Sequence, residues 1–322
     1  MSRTRALSVL RVVIALVVLG VVVWGVARNW AEISVDVRRV DAASLAGSTV
    51  LAALGTWLTM LGWRVLLADL GSPLHRAPAA GVFFVGQLGK YLPGSVWSVV
   101  AQADMASRLG VPRRRTGVVG LVTIGLSVLT GVLVGLPAIP HLTRAAGGTG
   151  GGGWWLLLAV PVLLLLCWPA LLNRIIATGL RVLRREPLEH ELSARAVLTA
   201  VALYVAAWVC FGAHVLVLTR AVGGEVPGAG LTMAALTGYG LAGSLGMLTV
   251  ILPAGLGARE GVLTYVLASA LPTPAAAAVA IISRFVVTVV DVAAALAGWL
   301  YARRHQLLAR TNAESPDPGL PE

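Results

Sequence analysis

The chain has 322 residues, 57% of them hydrophobic and 12% charged, and its mean hydropathy is +0.86. That is too apolar for a water-soluble domain of this length, and the apolar segments leave little room for a separate catalytic, nucleotide-binding or DNA-binding domain. The formal charge of +11 is therefore assigned to basic loops meeting anionic lipid headgroups, not to nucleic acid.

Arg3 and Arg5 precede an apolar run from Val12 to Val26. The run is longer than the roughly 7–15-residue core of a cleavable signal peptide, so residues 6–28 are expected to form a first, uncleaved span. Further spans are expected at 44–68, 115–140, 154–172, 194–220 and 275–300. Trp30, Trp63, Trp154, Trp155 and Trp299 fall near the ends of these runs, where an indole buries its ring and keeps its N–H in the headgroup layer. Cys167 and Cys210, both inside apolar runs, read as small core residues.

Two apolar stretches, 79–105 and 229–271, are interrupted. The first contains Gly89-Lys90-Tyr91-Leu92-Pro93-Gly94-Ser95, the second Leu252-Pro253-Ala254-Gly255-Leu256-Gly257-Ala258-Arg259-Glu260. Pro removes a backbone donor and Gly weakens a helix, so each stretch is expected to be a helix-break-helix hairpin that re-enters and leaves on one side. Arginine placement tests this. With both stretches as hairpins, fifteen arginines, including Arg113–Arg115 and the Arg174–Arg195 group, share one side with both termini, and only Arg28, Arg38, Arg39, Arg144 and Arg220 lie opposite. The positive-inside rule makes the rich side cytoplasmic.

The expected fold class is thus an all-α polytopic membrane protein with about six full transmembrane helices and two broken re-entrant hairpins. Span, span, hairpin, span occurs twice in opposite orientation, an inverted-topology repeat. Residues 1–302 form one integral membrane domain, with halves 1–144 and 154–302 joined by a Gly-rich linker. The Pro-containing segment 303–322 reads as a disordered cytoplasmic tail.

Ionisable groups at membrane depth cost several kcal/mol unless paired or hydrated. The candidates are Lys90, Asp104, Arg259, Glu260, Arg284 and Asp291. Lys90, the sole lysine, either reaches an acid in the other half or faces water and an anionic ligand. Arg259 and Glu260 begin the half-helix after the second break, where free N–H groups favour an anion; Glu260 either answers Arg259 or caps that helix. Arg284 and Asp291 share a face two turns apart, too far for easy pairing, so each is expected to find a partner elsewhere. Tyr91, Ser95, Trp97 and Gln102 are possible polar contacts. The five histidines lack ligand spacing, and His214 reads as a hydrogen-bonded interior residue. Asn173–Glu191 reads as an amphipathic helix on the anionic leaflet.

At the two breaks the sequence resembles the flippase-like integral membrane family that shares the transmembrane domain of lysylphosphatidylglycerol synthase. The resemblance is carried by Gly89-Lys90-Tyr91-Leu92-Pro93-Gly94-Ser95-Val96-Trp97, by Leu109-Gly110-Val111 with Arg113–Arg115, by Leu252 to Gly261, and by Ser283-Arg284. It implies a polytopic lipid-handling protein of the cell membrane. The synthase relatives carry a cytosolic aminoacyltransferase domain after the membrane part, and this chain ends about twenty residues after its last expected span, so lysylphosphatidylglycerol synthesis is not expected of it. No catalytic constellation is evident, and no cofactor is expected.

The favoured expectation is a flippase that moves an anionic phospholipid or polyprenyl-phosphate-linked precursor between leaflets. Lys90, Tyr91, Pro93, Gly94, Ser95, Pro253, Gly255, Gly257, Arg259, Glu260 and Arg284 form the substrate site. The alternative is a non-transporting subunit that presents a lipid-linked substrate to an envelope or glycosylation enzyme.

Overall fold

The structure, a computed structural model, describes residues 27, 30–92, 96–139, 158–223, 228–249, 252 and 255–304. The span expected at 6–28, the Gly-rich linker and the tail from residue 305 lie outside the described residues, or nearly so. Among the described residues there are eleven α-helices and no strand. They are α1 (Trp30–Arg39), α2 (Ala42–Asp69), α3 (Arg76–Gln87), α4 (Trp97–Ser107), α5 (Arg113–Gly135), α6 (Ala159–Leu166), α7 (Pro169–Val182), α8 (Ala194–Gly223), α9 (Ala229–Leu248), α10 (Ala258–Leu267) and α11 (Thr273–Arg304).

Five helical segments are long and apolar enough to cross a membrane: α2, α5 with the 3₁₀ turn that follows it, α8, α9 and α11; a sixth arises if α6 and α7 are one bent span. This is an all-α polytopic membrane protein. At 1.5 Å per residue, the 28 residues of α2 rise about 42 Å, more than the roughly 30 Å of hydrocarbon.

Three expected elements differ in detail. The span placed at 154–172 bends by 62° between α6 and α7, because Pro169 lacks an N–H and forces Trp168 into an extended conformation (φ −70°, ψ 129°). The amphipathic stretch expected to run to Glu191 stops at Val182, two residues before Arg184 takes φ +52°. The broken stretch 229–271 is lopsided: its first arm, α9, has 20 residues and its second, α10, has 10, since the Pro-Gly segment follows the end of α9 instead of splitting it. The first broken stretch has two short arms, α3 with 12 residues and α4 with 11, separated by a 3₁₀ turn at Leu88–Tyr91.

The two halves interlock. α2 packs along α8, α3 of the first half packs on α11 of the second, and α9 of the second packs on α5 of the first. Within each half the two arms of the broken stretch touch each other, and the second arm packs on the following helix, α4 on α5 and α10 on α11. Without a hydrophobic drive between helices in lipid, such packing depends on close backbone approach. The junction of α8 with α9 shows it: a Cβ on Gly212 would sit 1.9 Å from the Leu236 carbonyl oxygen. Apolar side chains also face outward, among them Leu54, Leu121, Phe285 and Leu296, each at least 45% exposed, as a lipid-facing surface requires and a water-facing one would not tolerate.

His214, fully buried, ties three helices: Nδ1 lies 3.0 Å from the Ser48 carbonyl oxygen and Nε2 2.9 Å from the Ser283 hydroxyl. A carbonyl only accepts, so Nδ1 carries the proton and Nε2 accepts from Ser283. This satisfies the ring and places Ser283, and with it Arg284, on α11.

On one face of the molecule, the segment after α7 is strapped across the α2–α3 corner. Arg115 reaches Glu189 at 2.8 Å and the Gly71 carbonyl at 3.0 Å, while Asp69 accepts from the Ser193 backbone N–H at 2.7 Å and from its hydroxyl at 2.8 Å.

Candidate functional site: a polar cavity beneath the two breaks

Both breaks are docked onto α11 by an ion pair, with opposite sense. From the first break, Lys90 reaches Asp291, Nζ to Oδ2, at 2.7 Å; from the second, Glu260 reaches Arg284, Oε1 to Nη1, at 3.2 Å. Of the two alternatives for Lys90, the structure therefore shows an acid in the other half. Asp291 and Arg284 do not pair with each other; each is met by one break, as their two-turn separation requires.

Asp291 is 4% exposed at its side chain, whereas Lys90 keeps 32%. The Tyr91 hydroxyl donates a second hydrogen bond to the same Oδ2 at 2.7 Å. Two donors thus serve one buried carboxylate oxygen, as a charge in a medium of low polarity must be paired and hydrogen-bonded to be tolerated. The 3₁₀ turn at Leu88–Tyr91 presents Lys90 and Tyr91 side by side to α11.

Glu260 serves two partners. Its Oε2 accepts from the backbone N–H of Gly257 at 2.7 Å, which caps the start of α10 and makes half of a capping box. Its Oε1 faces Arg284 as an ion pair without a well-aligned hydrogen bond. Glu260 thus caps the helix, one of its two expected roles, but the cation it answers is Arg284 and not Arg259.

Arg259 is differently placed. Its guanidinium donates to the Tyr239 hydroxyl and lies over the Tyr239 ring, 4.5 Å from the centroid. Among the described residues no carboxylate lies within 4.0 Å of it. Three cations are set against two carboxylates, and the uncompensated positive charge sits at Arg259.

The loop that brings Arg259 here is built on glycine. Gly255 adopts φ +66° and Gly257 φ +84°, in the left-handed region that disfavours residues with a Cβ. Gly255 also presses on α9, where a Cβ would stand 2.6 Å from the Gly246 Cα.

Lys90, Tyr91, Gly255, Arg259 and Arg284 line one cavity with about 180 Å³ accessible to water centres, many times the roughly 10–15 Å³ that one water needs. Its walls add hydroxyls from Thr56, Thr59 and Thr249 and aromatic faces from Trp208, Phe211 and Tyr239. Glu260 and Gly257 are not among the residues that line it. Pro93, Gly94, Ser95 and Pro253 lie outside the described residues. Asp104 belongs elsewhere: it pairs with Arg108 at 3.0 Å and with Arg113 on an exposed surface. Trp97 is half exposed and Gln102 is buried.

Two residues of this site stood outside the expected substrate set. Asp291 is visible in the sequence as an acid inside an apolar run, but nothing local pairs it with Lys90. Tyr239 carries only a faint signal, a lone aromatic between Gly238 and Gly240. Among the described residues, no group of three or more His, Cys, Asp and Glu side chains is arranged to hold a metal ion.

No curated protein sequence matches the chain. The profile of the lysylphosphatidylglycerol synthase TM region matches residues 8–295, which takes in both breaks, most of α11 and the whole cavity. The chain therefore belongs to the lysylphosphatidylglycerol synthase TM region family.

Proposed function

We propose that the protein is a lipid translocase that moves an anionic phospholipid or lipid-linked precursor between the leaflets of the cell membrane, with both termini cytoplasmic and no covalent chemistry of its own. The observation that carries the reading is Arg259, a cation in a membrane-embedded cavity with no carboxylate partner among the described residues. Burying such a charge costs several kcal/mol. A lipid phosphate arriving at Arg259 offsets that cost, and its own desolvation is offset in turn by the same ion pair.

The packing supports an inverted repeat around this cavity. The first arm of each broken stretch packs on the last helix of the other half, α3 on α11 and α9 on α5, while α2 and α8 pack on each other. Contacts exchanged in pairs like these are what a two-fold axis in the membrane plane would produce. The breaks then meet from opposite sides, as in transporters whose sites lie between repeats. The acyl chains remain in lipid while the headgroup crosses through the polar cavity.

The test is leaflet exchange of labelled anionic, zwitterionic and polyprenyl-phosphate lipids in proteoliposomes, with wild type compared to Arg259→Ala. Protein-dependent exchange of an anionic class, lost in the variant, is the expected result. Well-folded protein that moves none of the lipids sinks the translocase reading and leaves a subunit that presents a lipid-linked substrate to an envelope enzyme.

A further inference from the structure

Outside the cavity, α7 carries charges and apolar side chains that no part of the protein answers. Its inner side is occupied: Leu172 and Leu180 are buried, Ile176 packs against the core, and Asn173 exchanges two hydrogen bonds with the Leu192 backbone at 2.9 and 3.0 Å. At 100° per residue, two further stripes run along the helix, Arg174 with Arg181 and Ile175 with Val182, each pair two turns apart. All four residues are exposed, and Leu183, just beyond the helix, is 70% exposed. The chain enters α7 from α6, whose Leu164 and Leu165 also face outward, through the exposed Trp168 at the 62° bend.

The helix also stops on an arginine. The Arg185 N–H donates to the Leu180 carbonyl at 2.8 Å and the Arg184 N–H to the Arg181 carbonyl at 3.0 Å, the paired bonds of a Schellman stop, with Arg184 in the left-handed conformation at φ +52°. Glycine takes that position without strain and is the common choice; Arg184 is the one non-glycine residue with positive φ among the described residues. The stop folds the backbone of Arg184 and Arg185 back onto the turn that holds Arg181. Among the described residues no carboxylate lies within 4.0 Å of Arg174, Arg181, Arg184 or Arg185. The acids that follow are committed to α5, Glu186 to Arg114 at 3.4 Å and Glu189 to Arg115 at 2.8 Å. Attraction to the negative end of a helix accounts for cations in its last turn, but it reaches neither Arg174, two turns earlier, nor the apolar stripe alongside.

We infer that α7 lies in the headgroup layer of the bilayer and forms a second lipid-contact surface, separate from the cavity, whose arginines gather anionic lipids that stay in their own leaflet. The occupant is the lipid surface on two grounds. Cations beside a stripe of large apolar side chains fit a boundary with phosphates on one side and hydrocarbon on the other, whereas an acidic protein face answers the arginines alone. The outward leucines of α6 and the indole of Trp168 also deliver the chain to that boundary at the bend. The inference holds whether or not the cavity moves a lipid.

The test uses the full chain in vesicles of phosphatidylcholine mixed with phosphatidylserine. Ile175→Cys, Val182→Cys and Ala177→Cys, each in a Cys167→Ala/Cys210→Ala background, carry a fluorophore that is quenched by nitroxide-bearing lipids or by aqueous iodide. The labels at Ile175 and Val182 are expected to be quenched from the lipid at one shared shallow depth, and the label at Ala177, on the exposed side away from the apolar stripe, by iodide. Depths that differ by about 10 Å, seven residues at 1.5 Å each, make α7 the far half of a bent span and overturn the inference. Iodide that reaches Val182 as readily as Ala177 also overturns it and leaves the face to a soluble partner. Gathering of anionic lipid is read by placing the nitroxide on phosphatidylserine or on phosphatidylcholine. Quenching at Val182 by the anionic lipid is expected to exceed that by the zwitterionic one at least about threefold at low salt and to decline as salt is added, since each basic side chain near an anionic surface adds several-fold in affinity. The ratio should approach unity in Arg174→Gln/Arg181→Gln/Arg184→Gln/Arg185→Gln; a ratio that persists there overturns the inference. Arg184→Gly serves if that variant folds poorly: glycine suits φ +52°, so Tm should hold or rise while the ratio falls. A lowered Tm with an unchanged ratio marks Arg184 as structural and overturns its part in holding lipid.

Discussion

Lys90 and Asp291, from opposite halves of the chain, meet at 2.7 Å and fix the first break to the last long helix. Their burial is unequal, and that inequality decides what each does when the other is removed. Asp291 is almost wholly enclosed, while about a third of Lys90 remains accessible.

Lys90→Met leaves a buried carboxylate that, among the described residues, keeps the Tyr91 hydroxyl as its close donor, so it is expected to destabilise by about 3 kcal/mol. Asp291→Leu leaves a cation that can still reach water, and is expected to cost less. Pairing the two substitutions should recover most of the loss, since a buried ion pair replaced by apolar groups is often near neutral. Thermal unfolding of the three variants in detergent tests the order; Asp291→Leu as the most damaging of the three contradicts it.

Arg259→Gln removes the uncompensated charge while keeping a donor for Tyr239. Stability should hold or rise, because the cost of the uncompensated charge is removed and no ion pair is broken. Exchange of an anionic lipid should fall at least about tenfold, the effect of losing one charge-assisted contact to phosphate. Comparable losses of stability and transport would instead mark Arg259 as a packing residue.

Gly255→Ala places a side chain where φ is +66° and where a Cβ would meet the Gly246 Cα at 2.6 Å. Strain and clash together are expected to cost about 2 kcal/mol or more. The loop would move away from α9 and carry Arg259 with it, so exchange should be lost even at temperatures where the protein stays folded. Gly261→Ala is the control, as nothing lies within 4 Å of a Cβ there, and it should leave both properties intact.

Glu260→Gln preserves an acceptor for the Gly257 N–H but removes the charge that faces Arg284. The start of α10 should remain capped, with stability lowered by about 1 kcal/mol. The cavity gains net positive charge, so its affinity for an anionic lipid should rise several-fold, measured by titration. A fall in affinity would indicate that Glu260 is needed to hold Arg284 in place.

Hydropathy and arginine placement read from the sequence located α2, α5, α8 and α11 to within a few residues, because spanning a bilayer imposes a minimum apolar length that any membrane helix must declare locally. Gly and Pro declared the two breaks for the same reason: backbone geometry is a property of the residue itself. The lopsided second break escaped, since the position of Pro253 relative to the end of α9 depends on how far helix packing extends that arm.

The charged residues at membrane depth were legible one by one, as costly exceptions in apolar runs. Which of them would be spent on each other was not, because Lys90 with Asp291 and Glu260 with Arg284 are long-range pairs that exist only once the halves interlock. The tertiary structure alone decided that Arg259, not Lys90, keeps a charge without a carboxylate among the described residues, and that Tyr239 receives it. Ionic partners are chosen by distance in space, to which a sequence with no repeat of that distance gives no access; membrane length and backbone freedom are chosen residue by residue, and those the sequence settled by itself.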